Sequence, residues 1–394
     1  MATYNFDKIT NRKGTNCLKY DFAVERGKPA DVLPLWVADM DFKTLPDISE
    51  ELSKRALNGI YGYGMVPDDY LESVIGWMER RHQFHVEKDW IVPVPGVVTA
   101  FHLAVEAYTQ KNDNIMVLTP VYYPFYNAIK NNGRNIIRMP LTLEENQYTL
   151  DYQAFEDKII QENVKMLIFC NPHNPVGKVW SKEELKVIGD ICKKHQVFVI
   201  SDEIHMDFVY APHVHTAFYE VDPAFKEFSI VLTAASKTFN LAGLQTSAAI
   251  IADPKLRHQF EVIKKSHSTP DPNIFGFIAT TVAYTKGDEW VDQLLDYLKG
   301  NFEYLDHFLK TECPECSLVD PQGLYLAWVD MRKLGMNNKE QEDFMLHKAH
   351  LWLDEGYVFG EEGSGFERFN LACPRSYVEK ACQQLKKALD ERSA

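Results

Sequence analysis

Lys237 lies in TAASKTFNLAGLQTS (233–247), directly after an apolar run and among small polar residues. An amine so placed is poised to lose hydration and acquire a lowered pKa, as a nucleophilic or proton-moving lysine requires. Asp202 closes another apolar run, in ISDEIHMDF (200–208). A carboxylate at a buried strand end is costly unless a cation faces it, either a structural arginine or a protonated ring nitrogen of a ligand. Two Asn-Pro pairs and a glycine follow a third run in CNPHNPVGKVW (170–180). Prolines this dense make a rigid loop, which serves either as a plain turn or as a mount for a ligand-binding amide. In PVPGVVTAFHLAV (93–105) a turn opens an apolar helix, whose first amides are either simply capped or hold a phosphate.

These segments need a scaffold that brings strand ends together. Apolar runs at 114–119, 166–170, 197–201, 229–235 and 248–252 are nearly unbroken, and helical patterns separate several of them. That alternation predicts strands buried on both faces of a mostly parallel α/β sheet, which binds ligands beyond its carboxyl edge. A helix is expected at 68–82, capped by Asp68, and a capping box at Ser181 and Glu184 opens another through Leu185, Ile188 and Cys192. Beyond residue 287 long helical patterns (288–311, 338–352, 375–391, the last with a capping box at Ser376 and Glu379) surround fewer strands, at 324–330 and 366–372. The expected organisation is a large α/β domain over 46–287 and a small α+β domain from 1–45 plus 288–394.

The 394 residues carry a net charge of −14 with no basic run, which argues against a nucleic-acid partner. No apolar stretch is long enough to span a bilayer, and the opening residues have no signal-peptide core, so a cytoplasmic location is expected. The seven scattered cysteines read as reduced thiols. Cys313 and Cys316 form a C-x-x-C without a second ligand pair or a thioredoxin-like context, so no metal site is expected. Neither G-x-G-x-x-G nor a P-loop motif occurs.

Taken together, the order and spacing of these segments resemble the fold-type I pyridoxal-phosphate (PLP) enzymes, the aspartate aminotransferase-like transferase fold, along nearly the whole chain. The wording of VADMDF, PVYYPFY, PHNPVGKVW, SDEIH, SKTFNLAGLQ and FERFNLA is similar to the cystathionine β-lyase group of C–S lyases. The resemblance implies that Lys237 carries PLP as a Schiff base and moves the Cα proton, while Asp202 pairs with the pyridinium nitrogen. Asn174 would bond the ring's phenolic oxygen. Tyr122 would stack on the ring, with Tyr123 its rival there and a candidate for the substrate side. The amides of Val97 and Val98, helped by Ser236, would hold the phosphate, and Arg368 would clamp the substrate carboxylate. Tyr63 would reach the neighbouring subunit's phosphate, which implies a homodimer with composite sites.

Two positions depart from the aminotransferase pattern. His205 stands in the cofactor region where many aminotransferases have tyrosine, and Gln245 stands where they have a phosphate-binding arginine. The C–S lyase group shares both departures. The expected reaction is therefore β-elimination on an S-substituted L-cysteine such as cystathionine, giving thiol, pyruvate and ammonia. The alternatives are transamination by the same residues, or a regulatory role with secondary lyase activity.

Overall fold

The structure, a computed structural model, describes residues 3–393. Seven strands form its main sheet: β1 (Ile91–Val94), β2 (Asn114–Thr119), β3 (Asn135–Pro140), β4 (Val164–Cys170), β5 (Phe198–Asp202), β6 (Ser229–Thr233) and β7 (Ser247–Ile250). Their order is β1-β7-β6-β5-β4-β2-β3. β7 runs antiparallel to both neighbours and every other pairing is parallel, so the sheet is mostly parallel as expected.

The unbroken apolar runs have a simple cause. Side chains alternate across a strand, and here both faces are covered. Ile115 and Val117 of β2 enter one apolar cluster, while Met116 and Leu118 enter the other. In β4, Met166 and Ile168 divide from Leu167 and Phe169 in the same way. Cutting any of the larger of these side chains back to Ala would cost about 2–5 kcal/mol. The sheet is thus a stiff base for whatever its edge carries.

A second sheet contains β8 (Ser317–Leu318), β9 (Leu326–Asp330), β10 (Asp354–Glu355) and β11 (Phe366–Asn370). It is antiparallel throughout, in the order β8-β9-β11-β10. Helices Asp288–Glu312 and Arg375–Ser393 pack on it, burying Leu305, Leu309, Val378, Ala381 and Leu385 with Val329. Leu33–Pro34 pairs in parallel with Leu351–Trp352 and ties the N-terminal segment to this side. Among the described residues no helix is long and apolar enough to cross a membrane.

Several local expectations are corrected. Helix Asp68–His82 forms as expected, but Pro67 is its N-cap residue; Asp68 lies inside the first turn and pairs with Lys88 at 2.8 Å. The last helix begins at Arg375, so Ser376 sits within its first turn instead of capping it. The pattern over 338–352 breaks into a helix at Asn338–Asp343, a π turn at Phe344–Lys348 and the strand Leu351–Trp352. The break comes at His350, whose φ is 51°. The capping box at Ser181 and Glu184 is present, with both reciprocal bonds made. Cys313 and Cys316 lie in the loop between helix Asp288–Glu312 and β8, and both are buried in the apolar cluster beneath the small sheet.

Candidate active site

Register fixes the site. Cys170 at the end of β4 stands opposite Asp202 at the end of β5, and Asp202 stands opposite Leu232 near the end of β6. The connections leaving these three strands therefore start level with one another, at the carboxyl edge. A cavity of about 250 Å³ opens there, lined by Tyr122, Asn174, Asp202, His205, Ser236 and Lys237, with Val97 and Val98 closing one end. Eight residues singled out by their motifs thus meet in one pocket.

Lys237 lies in the short helix Ala235–Thr238 that follows β6. Its Nζ donates to the Ala38 carbonyl at 2.7 Å. Burial, and next the charge of Arg368, lower its pKa to about 8. Part of the side chain remains open to the pocket. Asp202 is buried and its Oδ1 accepts one N–H, from Ile204 at 3.2 Å. No arginine or lysine bonds it, and burial pushes its pKa up to about 7. His205 is buried beside it with Nδ1 unpartnered, and burial holds its pKa well below the usual value.

The raised pKa of Asp202 has a consequence for the cofactor-free protein. Its folded value lies above the unfolded one, near 4, so between these values the native state keeps a proton that the unfolded chain has lost. Asp202 should therefore cost stability progressively as pH rises from about 4 to 7. Urea unfolding at pH 5 and pH 7 should show a smaller loss in Asp202→Asn than in the wild type. An equal loss would place the proton elsewhere.

At the other end of the pocket, Gly96 has φ +94° and turns the chain into helix Val97–Tyr108. Amides of a helix's first turn have no intrahelical acceptor and present partial positive charge. Ser236, Gln245 and Thr246 line the pocket with them. A planar, anionic pyridoxal phosphate fits these groups. The cavity offers an amine for its aldehyde, an unpaired buried carboxylate for its ring nitrogen and free amides for its phosphate.

Three expected residues lie outside this pocket. Tyr123 lines a separate outer cavity of about 530 Å³, so Tyr122 is the tyrosine beside Lys237. Arg368 is buried on β11 behind Asn174, donating from Nη1 to Asn174 Oδ1 at 3.0 Å and from Nη2 to the Trp36 carbonyl at 2.9 Å. Nη2 also bonds Asp354. Tyr63 is fully exposed (111%). Sequence reasoning missed Asp354 and the Ala38 carbonyl. The VADMDF cluster was visible, but nothing local connects Ala38 to a lysine 199 residues away.

The profile of the aminotransferase class I and II family matches residues 30–385. Cystathionine beta-lyase PatB of Bacillus subtilis (strain 168) is 39% identical over 385 residues, covering 98% of this chain and all of that protein. Protein MalY of Escherichia coli (strain K12) is 32% identical over 388 residues, covering 98% and 99%. The crystal structure of cystalysin from Treponema denticola, which contains PLP, superposes with a TM-score of 0.96 at 38% identity, covering 99% of this chain and all of cystalysin. The chain belongs to the aminotransferase class I and II family.

Proposed function

We propose that this chain is a PLP-dependent C–S lyase that cleaves S-substituted L-cysteines such as L-cystathionine by β-elimination. Water is consumed, and thiol, pyruvate and ammonia are the products. One observation carries the reading: a desolvated lysine amine and an unpaired buried carboxylate face one pocket at the strand ends. Bound PLP supplies an electron sink that stabilises negative charge at the substrate Cα.

The protein's residues divide the remaining work. Asp202 keeps the ring nitrogen protonated, and its own burial makes that pairing strong. Lys237 anchors the cofactor and, with its lowered pKa, takes the Cα proton near neutral pH. Asn174 would hold the phenolic oxygen of bound PLP, and it orients Arg368 by accepting from Nη1 on Oδ1 at 3.0 Å. Tyr122 would cover the ring of bound PLP, Tyr123 would face the substrate side, and His205 would back the cofactor without adding charge. Val97, Val98 and Ser236 hold the phosphate. Arg368 receives the α-carboxylate.

The decisive assay is product release from a panel of S-substituted cysteines, scoring pyruvate, ammonia and thiol together. Equal amounts of all three are expected. Keto-acid-dependent amino transfer without thiol would make the chain an aminotransferase instead.

Arg368 gives a second test. Removing it to Ala would strand buried Asp354, so Arg368→Lys is the cleaner change: it keeps a charge and loses the planar fork. KM should rise by about thirtyfold, on the order of 2 kcal/mol, with PLP affinity little changed. An unchanged KM would place Arg368 outside the substrate site.

The proposal extends to a cytoplasmic homodimer, built from a 46–287 domain and a 1–45 plus 288–394 domain. Leu57, Ile60, Tyr61, Tyr63 and Met65 are all exposed, a concentration of apolar surface that supports a partner subunit here. Tyr63 then reaches the partner's phosphate. Subunit exchange between Tyr63→Phe and Lys237→Ala chains tests this, once Tyr63→Phe alone proves impaired. A composite site predicts recovered activity, because both lesions fall in one pocket and leave the other intact. No recovery despite proven exchange would rule the cross-subunit role out.

A further inference from the structure

Arg368, taken above as the seat of the substrate carboxylate, is already occupied. Asp354 on β10 stands directly opposite Arg368 on β11, and such cross-strand neighbours share a face. Its Oδ2 accepts from Arg368 Nη2. Both side chains are buried, and the ring of Phe359 lies 4.8 Å from the guanidinium carbon. The occupation is incomplete. Arg368 Nε is buried with no hydrogen-bond partner, whereas a carboxylate bridging Nε and Nη2 would satisfy both prongs. Asp354 also has somewhere to go. It lines the outer cavity of about 530 Å³, together with Arg26 and Lys28.

We propose that Asp354 is the resting occupant of the Arg368 seat, and that substrate binds by displacing it toward the outer cavity. This rests on the reading that Arg368 takes the α-carboxylate. The physical case is an exchange of like for like. A bare guanidinium buried in this wall would be costly, so the resting protein supplies its own counter-charge. An incoming carboxylate makes the better, two-pronged contact, and the released Asp354 moves into a cavity wall where Arg26 stands beside Lys28, itself paired with Glu342 and Glu355. An amine without a carboxylate cannot drive the exchange, so the device also selects for amino acids. The cost is affinity, because the seat is free for only a fraction of the time.

Asp354→Asn keeps the volume and an acceptor oxygen but removes the competing charge. If the seat is free about one-tenth of the time, the variant should bind a carboxylate about tenfold more tightly. Calorimetry on the PLP-loaded protein with propionate reads this without turnover. KM for S-methyl-L-cysteine should fall in parallel while kcat stays within about twofold, since Asp354 touches no reacting atom. Inhibition by 2-(methylthio)ethylamine, which has no carboxylate, should not change. If the Asn variant does not fold, Asp354→Ala followed by melting gives the same answer, with propionate raising its melting temperature more than the wild type's. Propionate affinity that is unchanged or weaker in the variant overturns the proposal, and would make Asp354 a support that holds Arg368 in place. Wild-type protein that binds propionate as described but releases no pyruvate from any S-substituted cysteine would instead overturn the lyase reading alone.

Discussion

Asp202→Asn is expected to fold, to retain some PLP, and to lose β-elimination by about two to four orders of magnitude. The amide has the carboxylate's shape but no charge, so the ring nitrogen is no longer held protonated. A buried charge pair broken on one side costs about 3–5 kcal/mol, and that sum converts directly to the stated loss in rate. The effect should fall on kcat as well as on kcat/KM, because the charge matters most when negative charge builds on the substrate. The fold should not suffer, since burial, and less so the charge of Glu203, already raises the pKa of Asp202 to about 7. Pyruvate release measured beside the variant's melting curve separates the two quantities. Turnover near the wild-type level would reduce Asp202 to a strand-end carboxylate.

Lys237→Ala is expected to do more damage. The same amine anchors the cofactor and moves the proton, and a positioned general base alone contributes about 10²–10⁴-fold. Its loss removes the anchor as well, so activity should fall to the assay floor under conditions where Asp202→Asn still turns over. The change also frees the Ala38 carbonyl, which now accepts from Nζ at 2.7 Å. Lys237→Arg should be equally inactive, because a guanidinium stays charged and cannot take the proton. A Lys237→Arg enzyme with substantial activity would contradict the assigned role.

How much of this was legible in the chain depended on burial. The central strands announced themselves, because residues such as Ile115 to Leu118 are apolar on both faces. Of the main sheet's strands β1 and β3 escaped notice, and they are its two edges. Pro93 inside β1 argues against a strand anywhere but an edge, and Arg138 in β3 is exposed. Helix Pro46–Leu57 was missed for the opposite reason: Ile48 is its only buried residue, so no apolar stripe marks it. At the site, the motif residues converge as their positions after strands implied. What spacing could not show is the pairing of Arg368 with Asp354, or of Lys237 with Ala38. Those contacts are made by sheet register and by the path of the N-terminal segment, which no local pattern encodes.

The attachment point of the cofactor is the most direct test of the role given to Lys237. Borohydride should bleach the yellow PLP-loaded protein and fix the pyridoxyl group permanently, and peptide mapping should then find it on Lys237. A pyridoxyl group on any other lysine, or none at all, would contradict the account at its centre.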